Sequence, residues 1–234
     1  MQHPVIVAEQ ESALELELTA VEVRILGCLI EKQATTPDVY PLTVNALLAA
    51  CNQKSNREPV MDLAASDTMT ALDSLIEKTL ASLYQSGRSR MAKYQHRLHQ
   101  RAFDEFNFST PELAILCVLF LRGPQTPGEI RSRSARIHEF QDPDAVIEVL
   151  RELEENPDRP YVKMLPRQAG RKESRYAHLF CGDVEELLQP DHGDQASVVS
   201  GNSRQQELEL DVAELKERVS ALEHRLEEFV KQFE

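Results

Sequence analysis

The chain lacks a long hydrophobic run and any close pair of cysteines. No apolar stretch approaches the roughly 18 residues of a membrane span, so we expect no contact with a membrane. The first 18 residues contain no Lys or Arg, and a secretory signal is therefore not expected. Cys28, Cys51, Cys117 and Cys181 form no CxxC motif, which is typical of reduced, buried thiols. We predict a cytoplasmic protein.

The usual signatures of catalysis and of cofactor or metal binding are also missing. The chain has no glycine-rich phosphate loop and no nucleophile elbow. His96, His99, His138 and His178 have no metal-type spacing to one another or to cysteine. We therefore predict a protein without enzymatic activity, cofactor or metal ion, in which His96 and His178 are structural residues of strands.

Acidic residues outnumber basic ones, and the net charge is −13. The excess lies at the two ends: residues 1–22 carry −5 and residues 183–234 carry −9, which leaves +1 in residues 23–182. This distribution disfavours strong non-specific binding to a polyanion, but it permits a locally basic face.

A unit that begins with a capped apolar helix is predicted twice. The two capping boxes are Thr19–Glu22 and Ser109–Glu112. One offset of 90 residues aligns Thr19 with Ser109, Glu22 with Glu112, Ile25 with Ile115, Leu26 with Leu116, Leu29 with Leu119 and Ile30 with Phe120. Internal repetition of this length is a fold-level signal.

Each copy continues with two further helices and a hairpin. Periodicity and capping residues predict helices over about 43–50 and 66–79 in the first copy, and over about 126–134 and 142–156 in the second. Hairpins with polar, glycine-containing tips follow over 80–98 and 161–180. Three helices and a hairpin are the order of a winged helix.

The predicted fold class is therefore mainly α with small β-hairpin wings (α+β). After an acidic N-terminal arm, residues 1–18, we predict tandem winged-helix domains over residues 19–104 and 105–188. Residues 189–205 are polar and rich in turn formers, and are predicted as a flexible linker to a C-terminal helix over residues 206–234.

Apolar residues recur every seven positions in this C-terminal helix, in two sets that are four residues apart. They are Leu208, Val212, Leu215, Val219, Leu222, Leu226, Phe229 and Phe233. This pattern predicts a coiled coil that makes the protein a homodimer, with attracting pairs Asp211–Lys216 and Arg218–Glu223. The alternative is an amphipathic helix that packs on its own body.

Three stretches of the chain resemble one family. They read LTAVEVRILGCLIEKQATTPDVYPLTVNALLAACNQKSNREPV, STPELAILCVLFLRGPQTPGEIRSRS and GRKESRYAHLFCG. They are similar to the uncharacterised bacterial YceH-like family, over about residues 15–188. The resemblance implies a tandem winged-helix fold, and it implies no reaction, ligand or functional residue.

Basic residues cluster on both hairpins and around the end of the second helix of the second copy. The candidate DNA-binding residues are Arg88, Arg90, Lys93, Arg97, Arg131, Arg133, Arg136, Arg171, Lys172 and Arg175. A winged helix usually sets its wing against the DNA backbone. The prediction is a DNA-associated, transcription-regulator-like protein that binds double-stranded DNA through basic wings.

The third helix of each copy argues against base readout, which uses Arg, Lys, Asn or Gln. The first carries Asp67, Asp73 and Glu77, and the second is more acidic still. Two alternatives stay open: the basic tips are simply solvated, or the protein is an interaction scaffold whose acidic helices meet a protein partner in a chromosome-organising or other complex.

The polar loop over residues 52–57 is interpreted as solvated, with contact to nucleic acid as its alternative.

Overall fold

The computed structural model describes residues 17–85, 91–99, 106–167, 173–182 and 184. The chain divides into two units, and all the described residues belong to the first unit, residues 1–188. The elements of the first half are α1 (Ala20–Thr35), a 3-10 turn (Pro37–Val39), α2 (Val44–Cys51), α3 (Ala65–Glu77), β1 (Ala81–Tyr84) and β2 (Lys93–His96). Those of the second half are α4 (Thr110–Arg122), α5 (Pro127–Ser134), α6 (Pro143–Glu154), β3 (Val162–Met164) and β4 (Tyr176–His178).

The order of three helices and an antiparallel strand pair thus occurs twice. β1 pairs with β2, with Ala81 opposite His96, and β3 pairs with β4, with Val162 opposite His178. The fold is therefore mainly helical with two small sheets, an α+β arrangement consistent with the winged-helix class. None of the described helices has the length and apolar character needed to cross a membrane.

Each strand pair is joined at the same point to the segment before the second helix of its half. Leu42 and Tyr94 exchange two backbone hydrogen bonds, of 3.0 and 2.7 Å. Gln125 and Tyr176 exchange an equivalent pair, of 3.1 and 2.8 Å. Leu42 and Gln125 both directly precede the threonine that caps the following helix, so the two halves share this backbone connection as well as the order of elements.

The predicted helices are confirmed, with one boundary that differs by more than two residues. α1 continues to Thr35, three residues past the expected end near Lys32. The reason is local: the hydroxyls of Thr35 and Thr36 donate to the carbonyls of Glu31 and Lys32, at 2.8 and 3.2 Å. The Lys32 carbonyl also accepts from the Thr36 amide at 3.0 Å, so the Thr36 hydroxyl adds a second bond to a carbonyl group of the last turn.

The core is centred where α1 crosses α4. Gly27 lies at the crossing, and a Cβ atom there would be 2.8 Å from Leu121 Cδ2 and 3.0 Å from Phe120 Cβ, so a larger residue would force Leu121 to shift. The Cys117 thiol donates to the Gly27 carbonyl at 3.4 Å and lies against the backbone of Glu31. Under the offset of 90, Cys117 is equivalent to Gly27 and Leu121 to Glu31, so the contacts of the two helices are reciprocal.

Candidate functional site

The tips of both predicted wings, together with the predicted dimerisation helix, lie outside the described residues. The predicted DNA contacts concerned are Arg88, Arg90, Arg171 and Lys172. The base of each wing is described: Lys93 lies in β2, Arg97 directly follows it, and Arg175 directly precedes β4. These three side chains are half-buried, and they are the predicted wing contacts whose positions are known.

The three predicted DNA-binding arginines around the end of α5 have different partners within the protein. Arg131 donates to the carbonyls of Phe140 and Gln141, at 3.2 and 2.7 Å, and so fixes the connection between α5 and α6. Arg133 lies 3.6 Å from the carboxylate of Glu129, one turn earlier. Arg136 is exposed and makes no hydrogen bond or ion pair with the described part of the chain. Arg133 and Arg136 therefore keep donors that a ligand can use.

Charge effects on pKa link the base of the second wing to α5, and α5 to α4. Burial raises the pKa of Glu129, but its hydrogen bonds and the charges of Arg133 and Arg175 outweigh burial, and the net shift is downward. The pKa of Arg122, in the last turn of α4, is lowered first by burial and next by the charge of Arg133. We call these three arginines, Arg122, Arg133 and Arg175, together with the exposed Arg136 that follows α5, the arginine track.

Three members of the arginine track line a cleft of about 240 Å³ between α1, α4 and α5, which we call the interhelical cleft. They are Arg122, Arg133 and Arg136. Arg122 donates to the side-chain oxygen of Asn56, which comes from the loop after α2. The cleft is thus built by both halves of the described unit, and sequence reasoning identified neither Arg122 nor the cleft.

The polar loop before α3 has a structural role, which corrects the solvated interpretation. Arg57 is only 5% exposed and binds the Glu31 carboxylate with both terminal nitrogens, at 3.1 and 2.7 Å. Its Nε donates to the Ala50 carbonyl at 3.0 Å. Asn52 is paired in both directions with the backbone of Leu63, at 3.0 and 2.9 Å. These bonds join the loop to α1 and to the segment before α3. Asn52 and Arg57 are therefore not simply solvated, whereas Lys54 and Ser55 are exposed.

A second buried arginine was also not anticipated. Arg24, in α1, is 1% exposed, and its guanidinium donates to the carbonyls of Pro59 and Cys51, at 2.7 and 3.5 Å. Burial lowers its pKa, because the charged form loses water. Arg24 holds both ends of the loop over residues 51–59 against α1, which is a structural task.

The third helix of each half exposes its acidic residues to solvent. On α3 the exposed acidic side chains are Asp67, Asp73 and Glu77. On α6 they are Asp144, Glu148 and Glu152. Carboxylates on these faces repel phosphate groups, so the arginine track is the better candidate surface for a polyanion.

The cysteines and the strand histidines are the remaining candidates for a chemical role. Cys28, Cys51 and Cys117 are buried thiols, as predicted, whereas Cys181 is exposed. No cluster of three or more His, Cys, Asp or Glu residues suited to a metal ion occurs in the described ranges. His96 and His178 lie in strands, and burial lowers the pKa of each to about 4.

Comparison with known proteins places the chain among relatives of nearly the same length. A family model described as "Protein of unknown function, DUF480" matches residues 18–171. The UPF0502 protein VPA1223 of Vibrio parahaemolyticus is 48% identical over 218 residues, which cover 92% of this chain and 98% of that protein. The UPF0502 protein YceH of Salmonella newport is 45% identical over 209 residues, which cover 89% of this chain and 97% of that protein.

Proposed function

The chain belongs to the DUF480 family, and we propose that it is a DNA-associated, regulator-like protein built from two winged-helix domains. It acts in the cytoplasm without catalysis, cofactor or metal. It binds the phosphate backbone of double-stranded DNA through the arginine track and the two wings. The observation that carries the proposal is the arginine track itself, which runs from the base of the second wing across α5 to α4.

Three features support two winged-helix domains over residues 19–104 and 105–188. Each half has the same order of elements. Each has a backbone bridge that attaches the strand pair to the residue before the second helix, at Leu42–Tyr94 and Gln125–Tyr176. The reciprocal contacts at the crossing of α1 and α4 are those expected when two equivalent units meet about a two-fold axis.

The charge distribution favours backbone contacts over base readout. The side chains of the arginine track provide guanidinium donors, which suit phosphate oxygens. The exposed faces of α3 and α6 instead carry carboxylates, which cannot pair with phosphate. Affinity should therefore depend strongly on salt and weakly on sequence.

The proposal is tested by titrating random-sequence duplex DNA with the full-length protein at several salt concentrations. Wild type should bind measurably near about 50 mM salt, where weak phosphate contacts still contribute. Changing Arg171 and Lys172 together to Ala should weaken binding to all sequences equally and reduce the slope of log affinity against log salt by up to about 2. Changing Arg133 and Arg136 together to Ala should have the same effect.

The matched control is Glu148→Ala on α6, which changes one exposed charge outside the arginine track. It should leave affinity unchanged or raise it, because it removes a negative charge. Absence of binding by wild type near about 50 mM salt ends the DNA proposal. Strong sequence preference, lost on changing α6, would instead assign recognition to the third helix.

The second candidate function is a protein-interaction scaffold, favoured by two observations. Exposed apolar side chains lie on the first strand pair and its flank: Leu83 and Tyr84 are 44% exposed and Met91 is 61% exposed. The acidic faces of α3 and α6 complement a basic partner. If DNA binding is absent, the next measurement replaces Tyr84 or Glu148 with a photo-cross-linking residue and identifies cross-linked proteins in cells. A partner captured specifically from either position would support the scaffold.

A further inference from the structure

The interhelical cleft combines an apolar lining with a charged one. Its apolar lining comes from α4 and from the segment after α5, and consists of Cys117, Val118, Leu121 and Ile137. Its charged lining consists of the guanidinium groups named above and the Glu31 carboxylate. An apolar cavity with a few convergent polar groups is the usual form of a small-molecule site.

The carboxylate in the cleft does not neutralise the arginines beside it. Glu31 is bound by both terminal nitrogens of Arg57 and lies 3.6 Å from Lys32, so its charge is already paired. Glu58 and Glu31 both act electrostatically on Arg122, but neither forms an ion pair with it in the described structure. Arg136 has no ion pair with any described residue.

Two guanidinium groups at the cleft are therefore left without a carboxylate partner in the described structure. They are those of Arg122, whose one described side-chain partner is the neutral amide of Asn56, and of Arg136. Arg133 adds a third positive charge that is only loosely paired with Glu129. Like charges gathered beside an apolar surface favour an anion, which relieves their repulsion and uses their donors.

We propose that the interhelical cleft is a binding site for a small organic anion, with a carboxylate or phosphate group held by Arg122 and Arg136 and an apolar body against Val118, Leu121 and Ile137. The planar guanidinium fork pairs with both anions. The cleft shares Arg122, Arg133 and Arg136 with the arginine track. The proposal nevertheless does not rest on DNA binding, because a small anion can occupy the cleft whether or not the protein binds DNA.

The volume limits the size of the ligand. About 240 Å³ is below the range of roughly 300–1,000 Å³ that is usual for drug-sized ligands and cofactors. The cleft accordingly suits an anion with about one ring as its apolar body, rather than a dinucleotide. Because residues of α1, α4, α5 and the loop after α2 line it, such a ligand would contact both halves of the unit.

The test uses the full-length protein labelled at its Val, Leu and Ile methyl groups for NMR. Benzoate, phenyl phosphate and inorganic phosphate are titrated at constant ionic strength, and benzamide serves as an uncharged probe of matched size. Benzoate or phenyl phosphate should shift the methyl signals of Val118, Leu121 and Ile137 in a saturable manner. Comparing these two anions identifies the preferred head group, and benzamide and inorganic phosphate should each bind at least about tenfold more weakly.

Two site variants and one control separate the site from general charge effects. Arg136→Gln removes a side chain with no described partner in the protein, so the fold should be kept, and affinity should fall about tenfold or more. Arg122→Gln should have a similar effect. Arg151→Gln removes an exposed arginine of α6 that does not line the cleft, and it should leave affinity unchanged.

Three results would overturn the proposal. The first is no saturable shift of these methyl signals with any anion up to about 20 mM, a concentration at which even millimolar affinity is visible. The second is equal binding of benzamide and benzoate, which would leave no role for the arginines. The third is an Arg136→Gln protein that binds as tightly as wild type.

Discussion

Two histidines occupy equivalent places in the two halves, each two residues after the tyrosine of the backbone bridge. His96 is buried and His178 is half-buried. Burial lowers the pKa of His96 to about 4, and the charge of His99 adds to the effect; burial alone lowers that of His178 to about 4. His96 Nδ1 accepts from the Leu98 amide at 3.3 Å, and Nε2 lies 2.6 Å from Gln33 Oε1. Only the neutral ring can accept at Nδ1 while it donates at Nε2.

We expect His178→Phe to reduce the loss of stability on acidification. In the unfolded chain a histidine titrates near 6.5, and in the folded protein His178 titrates near 4, so the unfolded chain holds the extra proton between these values. The stability that depends on the neutral ring is complete above about pH 6.5 and falls by about 3 kcal/mol as the pH approaches 4.

The measurement is the free energy of urea unfolding from about pH 7 to about pH 4.5 for wild type and variant. Phe keeps an aromatic ring next to Phe120 and Phe180, whose centroids lie 5.1 and 6.4 Å from that of His178. The variant should lose less free energy of unfolding across this range than wild type does. Curves with the same pH dependence would show that His178 does not contribute to the loss of stability on acidification.

At the scale of the element, α1 is held at its first turn by one carboxylate with two functions. Glu22 completes the capping box with Thr19, through bonds of 2.7 and 3.2 Å. It also accepts from Ser74 Oγ and Lys78 Nζ, both at 2.7 Å, although it is only 2% exposed. Burial raises the pKa of Glu22, but these bonds outweigh burial and the net shift is downward. The N-terminus of α1 is thereby joined to the C-terminus of α3.

We expect Glu22→Ala to destabilise the protein by about 2–3 kcal/mol, since it removes a helix cap worth about 1 kcal/mol and charge-assisted hydrogen bonds worth at least as much again. Glu112→Ala is the matched control, because Glu112 occupies the equivalent capping box of α4, where its described bonds are all to Ser109. It should cost about 1 kcal/mol. Urea unfolding measures both, and equal losses would contradict the second function of Glu22.

At the scale of the whole molecule, the C-terminal helix is predicted to set the oligomeric state. Its apolar residues at every seventh position, and the attracting pairs between neighbouring helices, favour a two-stranded coiled coil. This helix belongs to the second unit of the chain, residues 189–234, and lies outside the described residues.

We expect deletion of residues 204–234 to convert a dimer into a folded monomer, because the deletion removes every predicted a and d residue. Light scattering measures the mass of both proteins, and circular dichroism checks that the helices of the body remain. A milder variant, Leu215→Lys with Leu222→Lys, should also dissociate the dimer by placing charge at its centre. A truncated protein that remains a dimer would assign the interface to the body.

The sequence by itself determined the order of elements and their repetition. Capping boxes, apolar periodicity and glycine-containing hairpin tips are local signals. They predicted the six helices and the two strand pairs of the described residues, because helix caps and hairpins depend on residues a few positions apart. The acidic faces of α3 and α6 were evident in the same way. The offset that aligns Thr19 with Ser109 also predicted the equivalence of α1 and α4.

The tertiary structure alone decided which arginines are structural and which are available to a ligand. Arg24 and Arg57 are buried, Arg131 holds a connection, and Arg136 makes no ion pair with described residues, yet nothing next to each in the sequence distinguishes them. The physical reason is that the fate of a guanidinium group depends on the carbonyl and carboxylate groups that packing brings within about 3 Å. For Arg57 that partner is Glu31, 26 residues away, and the cleft beside this pair forms only when α4 and α5 pack against α1.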